Sequence, residues 1–107
     1  MLRRCSGQLS NLDFIKNYSI AAKRIKEIVI NYDNSARVIV FGSAVRGNFN
    51  AASDLDILII SDKKELWNEM RAKIFLEFLD KPIEVHFATQ EEFKNWYSKF
   101  IDVMQEF

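Results

Sequence analysis

The chain has 107 residues, 49% of them hydrophobic and 28% charged, with three glycines and one proline. That is enough for one domain with one core, spanning residues 1–107, and it excludes a disordered composition. Formal net charge is zero, so no global field argues for nucleic-acid binding. No apolar run approaches the ~20 residues that cross a bilayer. The basic start Met1-Leu2-Arg3-Arg4 leads into polar residues with no apolar h-region, so no signal peptide is predicted. The single cysteine, Cys5, excludes an internal disulfide and a Cys-rich zinc site, and reads as an incidental thiol in an N-terminal arm. The expectation is a soluble, cytoplasmic protein.

From Leu9 to Asn31, Ile15, Tyr18, Ala22, Ile25, Ile28 and Val29 recur at three- and four-residue intervals, which predicts one amphipathic helix. The turn formers Asp33-Asn34-Ser35 end it. Arg37 to Phe41 is β-branched and predicts a buried strand. Gly42-Ser43 opens a turn, a helical turn near Ala44–Arg46 follows, and Gly47, Asn48 and Asn50 mark a loop. Asp54 to Ile60 predicts a second strand, with Leu55, Ile57 and Ile59 on one face and Asp54, Asp56, Leu58 and Ile60 on the other. Asp62 and Glu65 resemble a capping box for a helix whose buried face carries Leu66, Met70, Ile74, Phe75, Phe78 and Leu79. Pro82 stops it. Ile83 to Ala88 predicts a third strand. Thr89 and Glu92 cap a last helix, whose stripe Phe93, Trp96, Tyr97, Phe100, Ile101 and Met104 runs to the C-terminus. If one side of that helix stays exposed, it forms a patch that marks a partner surface.

The order α-β-(α)-β-α-β-α predicts an α/β (α+β) fold: a small mixed three-stranded sheet flanked by helices. The short connection makes the first two strands antiparallel, and the long helical crossover makes the second and third parallel. This topology gathers Ser43, Asp54, Asp56 and Glu84 at one edge of the sheet. Asp54 and Asp56, two apart in a strand, share a face, and like charges held together ask for a cation. Carboxylates without a His/Cys cluster suit Mg²⁺, and two such ions can clamp an in-line phosphoryl displacement. Gly42 allows close backbone approach, Ser43 serves a phosphate or caps the following helical turn, and Arg46 adds positive charge toward a polyphosphate. His86 shares the face of Glu84 and reads as a packed or surface residue, since metal-dependent transfer needs no His base.

Gly42-Ser43, ten residues and then Asp54-Leu55-Asp56 match the G-S-x10-D-x-D signature of the nucleotidyltransferase superfamily that includes DNA polymerase beta. The longer run F-G-S-A-V-R-G-x5-S-D-L-D-I-L resembles the minimal nucleotidyltransferase proteins of bacteria and archaea over nearly the whole chain. The resemblance implies that Asp54, Asp56 and a third acid bind Mg²⁺, two ions in all, and Glu84 in P-I-E-V-H-F stands where the family usually has Asp. It further implies ATP as substrate and a HEPN-domain protein as partner, in a toxin–antitoxin pair where AMP is transferred to the HEPN protein, often to a tyrosine, silencing its RNase. Two other expectations stand beside this one. One is an antitoxin that neutralises its partner by contact alone. The weaker is transfer to RNA or to a small molecule such as an aminoglycoside, for which 107 residues leave little room.

Overall fold

The computed structural model describes residues 7–97, 99 and 103–107, with side chains from residue 11 onward except at 97. Cys5, Phe100 and Ile101 lie outside the described residues, as does the side chain of Tyr97. The elements are α1 (Gly7–Lys16), α2 (Tyr18–Ile30), β1 (Arg37–Phe41), α3 (Ser43–Arg46), β2 (Leu55–Ile60), a 3-10 turn (Lys64–Leu66), α4 (Trp67–Glu77), β3 (Ile83–Ala88), α5 (Gln90–Tyr97) and β4 (Met104–Glu106).

The sheet has four strands in the order β3-β2-β1-β4. As expected, β1 and β2 are antiparallel and β2 and β3 parallel. The fourth strand is the main departure. Met104 belongs to β4, antiparallel to β1 with Phe41 opposite Met104, and does not continue the last helix. Its spacing fits a helical stripe, but β1 has a free edge that pairs with the returning chain, and a ladder outweighs local periodicity. Phe107 then donates its amide to the carbonyl of Val38 (2.9 Å).

The predicted first helix is two. The break falls at Asn17, whose backbone leaves the helical region (φ −107°, ψ 39°). The Asn17 side-chain amide donates to the carbonyl of Asp13 (2.9 Å), a local bond of the kind that competes with helix propagation. The helix after β2 also starts later than Asp62 and Glu65 imply. Asp62 instead accepts the amide of Gln90 (2.8 Å) at the start of α5. The box at Thr89 and Glu92 forms as expected, with Glu92 accepting the Thr89 amide (2.9 Å) and Thr89 Oγ1 accepting the Glu92 amide (3.1 Å).

One face of the sheet meets the helices. Val38, Val40, Leu55, Ile57 and Ile59 pack there against Ala22, Ile25 and Val29 of α2 and Met70 and Ile74 of α4, all buried. Phe75 and Leu79 do not join this core. They are 66% and 52% exposed, because α4 meets the core along the Met70–Ile74 line and ends at Glu77. On the other face, Ile39, Leu58, Ile60, Ala88 and Phe93 form a smaller cluster with Phe41, Trp96 and Met104 at its margin. The alternation along β2 predicted from the sequence is therefore the division between the two clusters.

Candidate active site

The site lies where β1 ends and β2 and β3 begin. In the β1–β2 ladder Phe41 stands opposite Asp56, and in the β2–β3 ladder Asp56 stands beside Glu84. Leu58 and His86 occupy the next position on the same face. Oxygens of Asp56 and Glu84 and a ring nitrogen of His86 all lie within 4.8 Å of one another. His86 Nε2 is 3.5 Å from Glu84 Oε1 and 4.0 Å from Asp56 Oδ1.

Gly42 is fixed by this arrangement. Its φ of +84° is one that side-chain-bearing residues avoid, and a Cβ there would stand 2.6 Å from Asp56 Oδ2. Backbone and carboxylate thus approach in a way that only glycine permits. Gly42 also caps α3, so the helix N-cap expected at Ser43 is Gly42, and Ser43 is the first helical residue. The Gly42 carbonyl accepts the Arg46 amide (3.1 Å) and the Ser43 carbonyl accepts the Gly47 amide (2.9 Å).

The structure brings some expected residues together and leaves others at the rim. Asp56 and Glu84 converge, with Gly42 against Asp56. Asp54 precedes β2, is exposed and stands outside the three-residue cluster, though near enough to disfavour ionisation of Asp56. Arg46 is exposed at the end of α3. His86, which the sequence places on the right face, is the member that sequence reasoning left out. The signal was its i, i+2 relation to Glu84.

The electrostatics favour a cation. The Asp56 carboxyl is pushed up to about 6, first by burial and then by sharing a hydrogen bond and like charge with Glu84; His86 works the other way. Two carboxylates pressed together in this way, with an imidazole beside them, form a donor set that a divalent cation satisfies and a proton satisfies poorly. The residues present fit a divalent metal.

The chain belongs to the nucleotidyltransferase domain family. That family's model matches residues 22–105, which takes in β1, the Gly42-Ser43 turn, both acids and the first two residues of β4. A crystal structure of a protein described as a candidate nucleotidyltransferase is 32% identical, with a TM-score of 0.64 over 79% of this chain and 95% of that chain. A second candidate nucleotidyltransferase, from Sulfolobus solfataricus, aligns at 22% identity over 89% of this chain and 85% of that chain, with a TM-score of 0.45, too loose a likeness to bear on the fold. No curated protein matches the chain. The nucleotidyltransferase family is a transferase family that typically uses a divalent metal, and the Asp56–Glu84–His86 cluster is where the described residues of this member could hold one. Among the described residues, no helix is long and apolar enough to cross a membrane.

Two cavities bear on access. One of about 480 Å³ adjoins the cluster and is lined by Phe41, Leu58, His86, Ala88 and Trp96. A larger groove of about 520 Å³ lies among α1, α2 and the end of α4 and includes none of the site residues.

Proposed function

We propose that this nucleotidyltransferase moves AMP from ATP onto a hydroxyl of a partner protein, and that the partner is a HEPN-domain protein silenced by the modification. The observation that carries the reading is the adjacency of Asp56 and Glu84 under a glycine turn with no room for a side chain. Asp56 and Glu84 would hold Mg²⁺, and Asp54 at the rim would provide charge toward a second ion. When bound, the metal supplies Lewis-acid stabilisation of charge on the phosphoryl oxygens.

The remaining roles belong to the chain itself. Gly42 lets the triphosphate approach the backbone, Ser43 offers its hydroxyl and amide to a phosphate, and Arg46 neutralises part of the polyphosphate charge. Glu84 orients the acceptor hydroxyl. The hydroxyl oxygen forms a bond to the α-phosphorus, the bridging bond between the α-phosphorus and the β-phosphate oxygen breaks, and pyrophosphate leaves with that electron pair. The hydroxyl proton passes to Glu84 or to solvent. The aromatic-lined cavity beside the cluster suits an acceptor side chain that is itself apolar and ringed, such as tyrosine.

The position of Asp54 outside the cluster favours one second reading, an antitoxin that acts by contact and keeps these acids without turnover. The test is to incubate the protein with Mg²⁺, the product of its neighbouring gene, and ATP labelled at either the α- or the γ-phosphate. Label on the partner from α-labelled ATP alone supports transfer of AMP. Label from γ-labelled ATP, or none with either, overturns it. Protection against the partner that persists in an Asp56→Asn protein identifies the contact antitoxin.

A further inference from the structure

We propose that His86 is a nitrogen ligand to the cation held by Asp56 and Glu84, and that it biases the site toward Mn²⁺ over Mg²⁺. This rests on the cation reading of the two acids and adds to it the kind of ion the site selects.

Strand register gives the first support. Leu58 and His86 follow Asp56 and Glu84 by two residues, so the imidazole rises on the same face one position along. The ring then leans back toward the acids, with Nε2 at 3.5 Å from Glu84 and 4.0 Å from Asp56. Phe41 of β1, across β2, sits against it at 5.6 Å between ring centroids. Ligands about 2.1 Å from one ion lie about 3 Å apart in adjacent octahedral positions and about 4.2 Å apart across it. The observed separations fall close to that range, and small side-chain movements close the rest. His86 is 45% exposed, which leaves the outer side of the site open to substrate oxygens.

The second support is ligand chemistry. Mg²⁺ takes oxygen donors and gains little from imidazole. Mn²⁺ shares the preference of Mg²⁺ for carboxylate oxygen, but as the first member of the first-row divalent series it tolerates a nitrogen donor that the harder Mg²⁺ does not favour. A carboxylate–carboxylate–imidazole set therefore separates the two ions where a purely acidic set does not.

Mn²⁺ alone is the probe. Pulsed EPR of the Mn²⁺-loaded protein is expected to show the ¹⁴N coupling of a directly bound imidazole, and His86→Ala to abolish it. Calorimetric titration is expected to show His86→Ala weakening Mn²⁺ about tenfold and Mg²⁺ by less than about threefold. His86→Asp, which makes the set all oxygen, lowers the Mn²⁺/Mg²⁺ affinity ratio, and thermal melts of both variants establish that they fold. Mn²⁺ bound without nitrogen coupling in the wild type overturns the proposal and leaves the two-acid site standing. An equal loss of both ions in His86→Ala overturns the selectivity. A wild type that binds no Mn²⁺ overturns the proposal together with the cation reading of Asp56 and Glu84.

Discussion

Two aspartates sit at opposite ends of the sheet and are treated in opposite ways. Asp33, in the turn between α2 and β1, is 5% exposed. It accepts the Ser61 hydroxyl at 2.6 Å and the Ser35 amide at 3.0 Å. Ser61 in turn accepts the amide of Lys63 (3.2 Å), and its carbonyl accepts the Trp67 indole N–H (3.0 Å). Those donors hold the Asp33 carboxyl below its usual range, the Ser61 hydroxyl foremost. Asp56 is less buried, yet it is driven up, first by the burial it does have and then by its neighbour Glu84, an acid where Asp33 has donors; His86 offsets only part of this. Burial by itself does not separate a structural carboxylate from a functional one. What separates them is whether the fold supplies hydrogen-bond donors or leaves that role to something from solution.

The largest expected effect comes from removing the donors' acceptor. Asp33→Ala strands the buried Ser61 hydroxyl and the Ser35 amide and is expected to cost about 1–3 kcal/mol of stability, read by denaturant unfolding. Label transfer per folded molecule should stay near the wild-type value. Gly42→Ala attacks the other end. A backbone at φ 84°, ψ −152° costs about 1–3 kcal/mol for a residue with a Cβ, and the new methyl displaces the Asp56 carboxylate. Cation affinity by calorimetry should therefore fall with stability, and a variant that binds as the wild type does would show that the close approach has no role.

The smallest effects carry opposite signs. The folded-state pKa of Asp56 is about 6, above its ordinary 3.8. Its contribution, without cation, is thus present below about 3.8 and is lost as pH rises through about 6. Asp33 is depressed from 3.8, so its contribution is present above that value and is lost as pH falls through its lower folded pKa. Subtracting the unfolding profiles of Asp56→Asn and Asp33→Asn from that of the wild type isolates the two slopes. They should point in opposite directions, and added Mn²⁺ or Mg²⁺ should flatten the Asp56 slope alone.

Much of this was legible in the sequence. The three predicted strands, the alternation along β2 and the gathering of Asp56 and Glu84 at one edge follow from period and connection length. What escaped depends on contacts between distant residues. β4 was hidden because Met104 fits a helical stripe and its partner, β1, is over sixty residues earlier. Asp62 caps α5, reached through the β2–β3 crossover, in place of the helix that follows it. Asp33 read as a turn former because nothing local announces Ser61. The Asn17 break was missed because the apolar stripe runs through it. A lone histidine on a strand carries no signal of its own, and the significance of His86 lies in the two acids beside it.

The most direct measurement compares label transfer from α-labelled ATP by the wild type, Asp56→Asn and Asp33→Ala under conditions where all three are folded. No detectable transfer is expected from Asp56→Asn, whose stability matches or exceeds the wild type near neutral pH. Near-normal transfer is expected from Asp33→Ala in spite of its lower stability. Transfer by Asp56→Asn at the wild-type rate, or an equal loss in both variants, would contradict these expectations.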